Sequence, residues 1–253
     1  MSILFREHPL SHAVTGELHS LNFEPLRAPE RVSYLAVVCG DQGIELNVTH
    51  FKRLLEHHGQ SVPEAVKQQY PVDLGPMRVG WERHNEFVTY TFSKQGAFAH
   101  PFAEPVLHGL PAQWLCELPG EVIAAVSLAI DSCETPERDN DALSALFDGN
   151  PVIGSRVVAG LAGAWSDFKI QPDGCVRILV HDCSLSEHQA GRLVKPILDI
   201  NCYRALALIG FPLAWKVPPG SAMPIGDWRC WHRACPARVL RLAPALKATC
   251  WPS

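Results

Sequence analysis

Met77-Arg78-Val79-Gly80-Trp81-Glu82-Arg83, then His84-Asn85-Glu86, then Phe87-Val88-Thr89-Tyr90-Thr91-Phe92 is the stretch from which the rest of the chain is read. Residues 77–83 and 87–92 both read as strands, joined by a polar tip. In the second, Phe87, Thr89 and Thr91 point one way and Val88, Tyr90 and Phe92 the other, the period of two that a pleated strand imposes. Two strands this close pair antiparallel. Upstream, Val32 to Val38 reads as a buried strand stopped by Cys39-Gly40-Asp41. Residues 47–58 read as a helix, with Asn47 as cap, Val48, Phe51, Leu54 and Leu55 as its apolar face and Gly59 just past its end. Residues 101–118 read as a second helix, begun by Pro101 and anchored by Trp114 and Leu115.

A similar order follows downstream. Residues 121–130 give a buried strand, 141–147 a short helix, and 155–158 and 165–170 two strand candidates. Gln171-Pro172-Asp173-Gly174 is a turn feeding a strand over 175–181. Ser186-Glu187-His188-Gln189 has the form of a capping box, and Ala190, Val194, Leu198, Cys202, Ala205, Ile209 and Leu213 continue it at helical spacing. The expected fold class is α+β: a duplicated strand–helix–strand–strand–helix unit, mostly antiparallel sheets, helices on one face. Trp81 and Trp165 fall at comparable places in the two units. The boundaries are an arm over 1–30, halves over 31–118 and 119–215, and an irregular, non-native tail over 216–253.

Composition limits the function. The net charge of −4 is unevenly spread: residues 216–253 hold six Lys/Arg against one Asp, residues 1–215 sixteen against twenty-five Asp/Glu. An acidic body gives no broad electrostatic footprint for nucleic acid. Nine cysteines, an odd number at irregular spacing, fit free thiols in a reducing compartment. No signal peptide opens the chain, and the apolar run from Ala205 to Trp215 is about half the ~20 residues of a spanning helix.

Two polar constellations are candidate binding surfaces. The first is Trp81, Glu82, Arg83, His84 and Glu86, a set able to hold an anion or move a proton, or merely to pair its charges in water. The second is Arg177, His181 and Asp182, at a strand end before the capped helix, with Arg156 as a further candidate. Arg177 and His181 share a strand face but stand roughly 13 Å apart along it. A hydrolytic triad of Ser155, His181 and Asp182 lacks Gly-x-Ser-x-Gly. Gly149 and Gly154 have phosphate-loop spacing, but Ser155-Arg156 stands where Lys-Ser/Thr is needed, and Gly-x-Gly-x-x-Gly is absent. His-Glu-x-x-His and Cys-x-x-Cys are also absent, Cys230, His232 and Cys235 lie in the aperiodic tail, and His8, His12 and His19 read as a solvated arm. Neither a metal nor a cofactor is expected, and no catalytic residue is assigned.

Several of these segments, in consistent order over residues 8–213, resemble a bacterial family of uncharacterised membrane-anchored proteins, domain-of-unknown-function family 3422. The resemblance rests on His8-Pro9-Leu10, Glu17-Leu18-His19, Arg27-Ala28-Pro29-Glu30-Arg31-Val32-Ser33, the Trp81–Phe87 strip with Thr89–Phe92, Pro101-Phe102 and Leu118-Pro119-Gly120-Glu121. It continues through Gly154-Ser155-Arg156, Trp165-Ser166-Asp167-Phe168, Arg177–Asp182, Gln189–Val194 and Tyr203-Arg204. It implies longer relatives whose last helix runs on toward a hydrophobic anchor, and no catalytic role. Beyond about residue 215 this chain departs from that pattern with a Pro-, Trp-, Arg- and Cys-rich ending, as a shifted reading frame would produce. The expected function is a non-enzymatic binding or scaffolding module, held in intact relatives at the cytoplasmic side of the inner membrane. The chain as given is expected to be soluble and cytoplasmic, with no nucleic-acid partner. The alternative is an enzyme acting on a small anion, with His84 or His181 as acid–base and Arg83 or Arg177 holding the substrate.

Overall fold

A computed structural model describes residues 23–85 and 87–209. The strands are β1 (Glu30–Val38), β2 (Gln69–Asp73), β3 (Arg78–Arg83), β4 (Phe87–Gln95), β5 (Glu121–Asp131), β6 (Ile153–Val157), β7 (Ala162–Ile170) and β8 (Val176–Asp182). The helices are α1 (Gly40–His57), α2 (Ala112–Cys116), α3 (Asn140–Leu146) and α4 (Glu187–Ile209). All eight strands form one sheet in the order β2-β3-β4-β1-β5-β8-β7-β6. Its neighbours are antiparallel except β5 and β8, which are parallel. The fold is therefore α+β with a mostly antiparallel sheet.

The halves expected from sequence each supply four adjacent strands, β2-β3-β4-β1 and β5-β8-β7-β6, joined where β1 pairs β5. Their order corresponds, but β1 runs antiparallel to β4 while β5 runs parallel to β8, so an internal duplication is not confirmed. The expectation of helices on one face is corrected. Val32, Tyr34, Ala36, Leu128 and Ile178 pack beneath Ala190, Val194, Leu198 and Cys202 of α4. Leu35, Val37, Trp81, Tyr90 and Phe92 instead meet Phe51, Leu54 and Leu55 of α1 and Trp114 of α2. Leu143 and Phe147, at α3, cover Ala129 and Leu179. Strands apolar on both sides must be covered on both, because each exposed face would leave large apolar area in water.

Other boundaries moved for local reasons. Helix α1 begins at Gly40, so Asn47 is interior rather than a cap. Its amide donates to the carbonyls of Gly43 (2.9 Å) and Pro119 (2.6 Å), and its Oδ1 accepts from Tyr90 Oη at 3.0 Å. The bonds to Pro119 and Tyr90 are tertiary and offset the weak helix propensity of a start containing two glycines. The helix expected over 101–118 reduces to a 3-10 turn at Val106–Gly109 and the short α2. Pro105 and Pro111 each stand just before one of these turns, and proline disfavours helical backbone in the residue preceding it. Strand β2, with Pro71 inside it, was not anticipated; it is an edge strand, where a missing N–H is tolerated. The capping box is present: Ser186 N donates to Gln189 Oε1 at 2.9 Å, and Gln189 N to Ser186 Oγ at 3.3 Å. Before β1, the arm crosses the start of α4, with Leu26 N donating to Glu187 O at 3.0 Å. A Cβ on Gly191 would lie 2.1 Å from Glu24 O, so only glycine permits this approach.

Candidate functional site

Alternation along β3 splits the first constellation. Trp81 is fully buried on the α1 side, its ring stacked on Phe51 at 5.8 Å, and is a core residue. Glu82 faces the other way, toward α4, where Lys195 Nζ lies 2.9 Å from Glu82 Oε2 and 2.6 Å from Asp199 Oδ1. Burial raises the pKa of both carboxyls, with Lys195 opposing. The Lys195 ammonium would be depressed by burial, yet the two carboxylates together outweigh that and raise it. His84 stacks on Phe87 at 4.1 Å and stands 3.8 Å from Glu82 Oε2, with its buried Nε2 lacking a hydrogen bond. Burial, then Lys195, lowers its pKa to about 4, so the ring is neutral at pH 7. Arg83 points to the exterior and reaches Glu45 at 3.4 Å. Glu86 lies outside the described residues.

The same face carries a second ionic group. Arg78 Nη2 lies 2.5 Å from Oε1 of the fully buried Glu30, and Arg78 Nη1 donates to Pro25 O at 2.9 Å. Glu24, 4.0 Å from Arg78, has its pKa raised by burial against the pull of that guanidinium. Between the arm, the β2–β4 surface and α4 lies a cavity of about 650 Å³. Glu24, Glu82 and Lys195 contribute charge to its wall, and Tyr70, Gly80, Val194 and Leu198 contribute apolar or small surface.

Arg177 and His181 of the second constellation lie on the opposite face, whereas Asp182 falls on the α4 side. Val176, Ile178 and Val180 pack with α4, so Arg177 and His181 project toward α3. Arg177 reaches Leu146 O and Asp148 Oδ1, each at 3.3 Å, and lies 5.6 Å from the Phe102 ring centre. His181 is buried. Asp182 Oδ1 accepts from Leu185 N at 2.6 Å and shapes the entry to α4. Arg156, on the edge strand β6, pairs with Glu137 and lies 3.1 Å from Cys183 Sγ. Gly154, two residues earlier, is required by packing: a Cβ there would lie 1.9 Å from Trp165 Cδ1. The structure brings Glu82 and His84 together, and Arg156 near His181 through Cys183 and Glu137. It keeps these two groups on opposite sides of the sheet.

Sequence reading missed Lys195, Asp199, Glu30 and Arg78. A signal was present for the first two: each follows a buried position of α4, Val194 and Leu198, and so borders its apolar stripe at i,i+4 spacing. Among the described residues no helix is long and apolar enough to cross a membrane, and the six cysteines are not joined in disulfides.

These features define an α+β domain with one mixed sheet, helices on both faces and a charged cavity beneath its last described helix. The chain matches, over residues 6–220, the family described as "Protein of unknown function (DUF3422)", and it belongs to that family. No curated protein and no solved structure matches it.

Proposed function

We propose that this domain is a non-enzymatic binding module whose ligand, a small molecule with an apolar body and a polar group, occupies the cavity beneath α4. The observation that carries this reading is Lys195 held between Glu82 and Asp199 on the wall of a cavity of about 650 Å³. That volume falls within the range of small-molecule sites, which are largely apolar with a few fixed polar groups. The enzymatic alternative requires the His84 and Arg177/His181 groups around one pocket, and their placement on opposite faces counts against it. In longer relatives the module is held at the cytoplasmic face of the inner membrane by an anchor beyond this helix. Cysteines outside disulfides support the reducing side.

A thermal-shift screen of the purified chain against small metabolites tests the cavity. Gly80→Val places a side chain into it, since a Cβ at Gly80 meets only Glu24 Oε1 at 3.3 Å and Thr91 beyond 3.8 Å. Ligands that stabilise the unaltered protein are expected to lose their effect in Gly80→Val and keep it in Arg177→Ala. Stabilisation that survives Gly80→Val but vanishes in Arg177→Ala would move the site to the other face and overturn the proposal.

A further inference from the structure

We infer that Glu137, His181 and Cys183 form a binding site for a divalent zinc-like metal ion, on the face of the sheet opposite the cavity. One donor atom from each residue lies within 4.8 Å of the other two. Tetrahedral zinc, with bonds of about 2.0–2.3 Å, holds its donors roughly 3–4 Å apart. Binding draws the donors together by up to about an ångström, and the Glu137 side chain, 65 % exposed, has room to rotate toward the other two. Imidazole, thiolate and carboxylate are the donor types zinc favours, and a mixed set with one soft thiolate discriminates against magnesium and calcium.

The backbone holds two of the donors firmly. His181 is buried near the end of β8, and Cys183 N donates to Leu161 O at 3.0 Å. Glu137 comes from the connection between β5 and α3. The site thus stands at the carboxyl ends of the parallel pair β5 and β8, where Asp131 is the register partner of His181 and shares its face. Asp131 is buried and paired with Arg138, so a fixed carboxylate stands on the neighbouring strand next to the histidine position.

Arg156 shows what the site attracts. Its guanidinium reaches both Glu137 and Cys183, so one cation already spans two of the three donors. Arg156 is exposed and long, and its charge is half that of the metal. A divalent ion displaces it, and its removal relieves the competition. Three protein donors leave a fourth position to water, the coordination pattern of open rather than closed zinc sites.

Titration of the metal-free full chain with Co²⁺ and Zn²⁺ tests the inference. One equivalent of Co²⁺ bound here gives a thiolate-to-cobalt charge-transfer band and the visible bands of four-coordinate cobalt. Cys183→Ser removes that charge-transfer band, whereas Cys116→Ser, in the other half of the chain, keeps it. His181→Ala lowers Zn²⁺ affinity by about 10–100-fold or more, and Arg156→Ala raises it severalfold. Far-ultraviolet circular dichroism checks that each variant is folded; Cys183 is only partly buried, so Cys183→Ser tests the site even if His181→Ala fails to fold. A cobalt spectrum unchanged by Cys183→Ser, with Zn²⁺ affinity unchanged by Glu137→Gln, would refute the site.

Discussion

Lys195→Met is the most informative single perturbation of the α4 face. In the intact triad each ion pair gains roughly 5 kcal/mol by Coulomb's law at contact distance with an effective dielectric near 20. Desolvation of three largely buried ions, each 13–16 % exposed, offsets much of that gain, so the triad as a whole contributes little net stability. Removing only the lysine leaves two buried carboxyls, Glu82 and Asp199, facing one another without a counter-charge. The expected loss at neutral pH is about 3–5 kcal/mol. Its pH dependence has a definite sign. Both carboxyls have folded pKa values above their ordinary ones, so the folded state holds protons that the unfolded state has released. Stability contributed by such groups is complete below the unfolded carboxylate range and falls as pH rises through the folded values. Lys195 restrains that rise in pKa, so its removal moves the window upward. The deficit of Lys195→Met relative to the unaltered chain should be largest near pH 8 and shrink to about half or less near pH 5. Urea unfolding at the two pH values measures it. Glu82→Gln/Lys195→Met/Asp199→Asn, lacking all three charges, should recover to within about 1–2 kcal/mol of the unaltered chain. An equal deficit at both pH values, or a triple variant as unstable as the single one, would refute the ionic account.

Three further outcomes follow from other contacts. The His84 ring should show no titration between pH 5.5 and 8 by proton NMR, since its folded pKa is about 4. Its contribution to stability is complete above about pH 6.5 and lost as pH falls toward 4. Gly154→Ala forces Trp165 out of place and should cost about 1–3 kcal/mol in chemical unfolding, with little change in cavity binding. Ser186→Ala removes one half of the capping box and should cost about 0.5–2 kcal/mol, read as a lower unfolding midpoint.

What the sequence disclosed depended on how local the cause was. The alternation of Phe87–Phe92, the Pro172–Gly174 turn and the Ser186/Gln189 cap are each determined within a few residues, and each is present. Asn47 misled because its local preference, to cap, lost to two partners brought in by other segments, Pro119 and Tyr90, with Gly43 of its own helix as a third. The span 101–118 misled because an apolar set around Trp114 is shared by a helix and by a chain of tight turns, and the prolines chose the turns. Helices on both faces were not legible because burial on the second side appears only when α4 is placed. The candidate residues show the same division. Trp81 and Glu82 are neighbours in sequence, yet the pleat sends one into the core and the other toward a lysine more than a hundred residues away.

Strands β1 and β5, at the centre of the sheet, begin about ninety residues apart in the chain. Until residues 121–131 have been synthesised, the side of β1 that pairs with β5 has no native partner for its N–H and C=O groups. Strand β5 waits in turn for β8, about fifty residues later still. An apolar, nine-residue template open to any passing strand is a hazard in a crowded cell. The centre of the sheet is therefore completed only when Asp182, the end of β8, has been made.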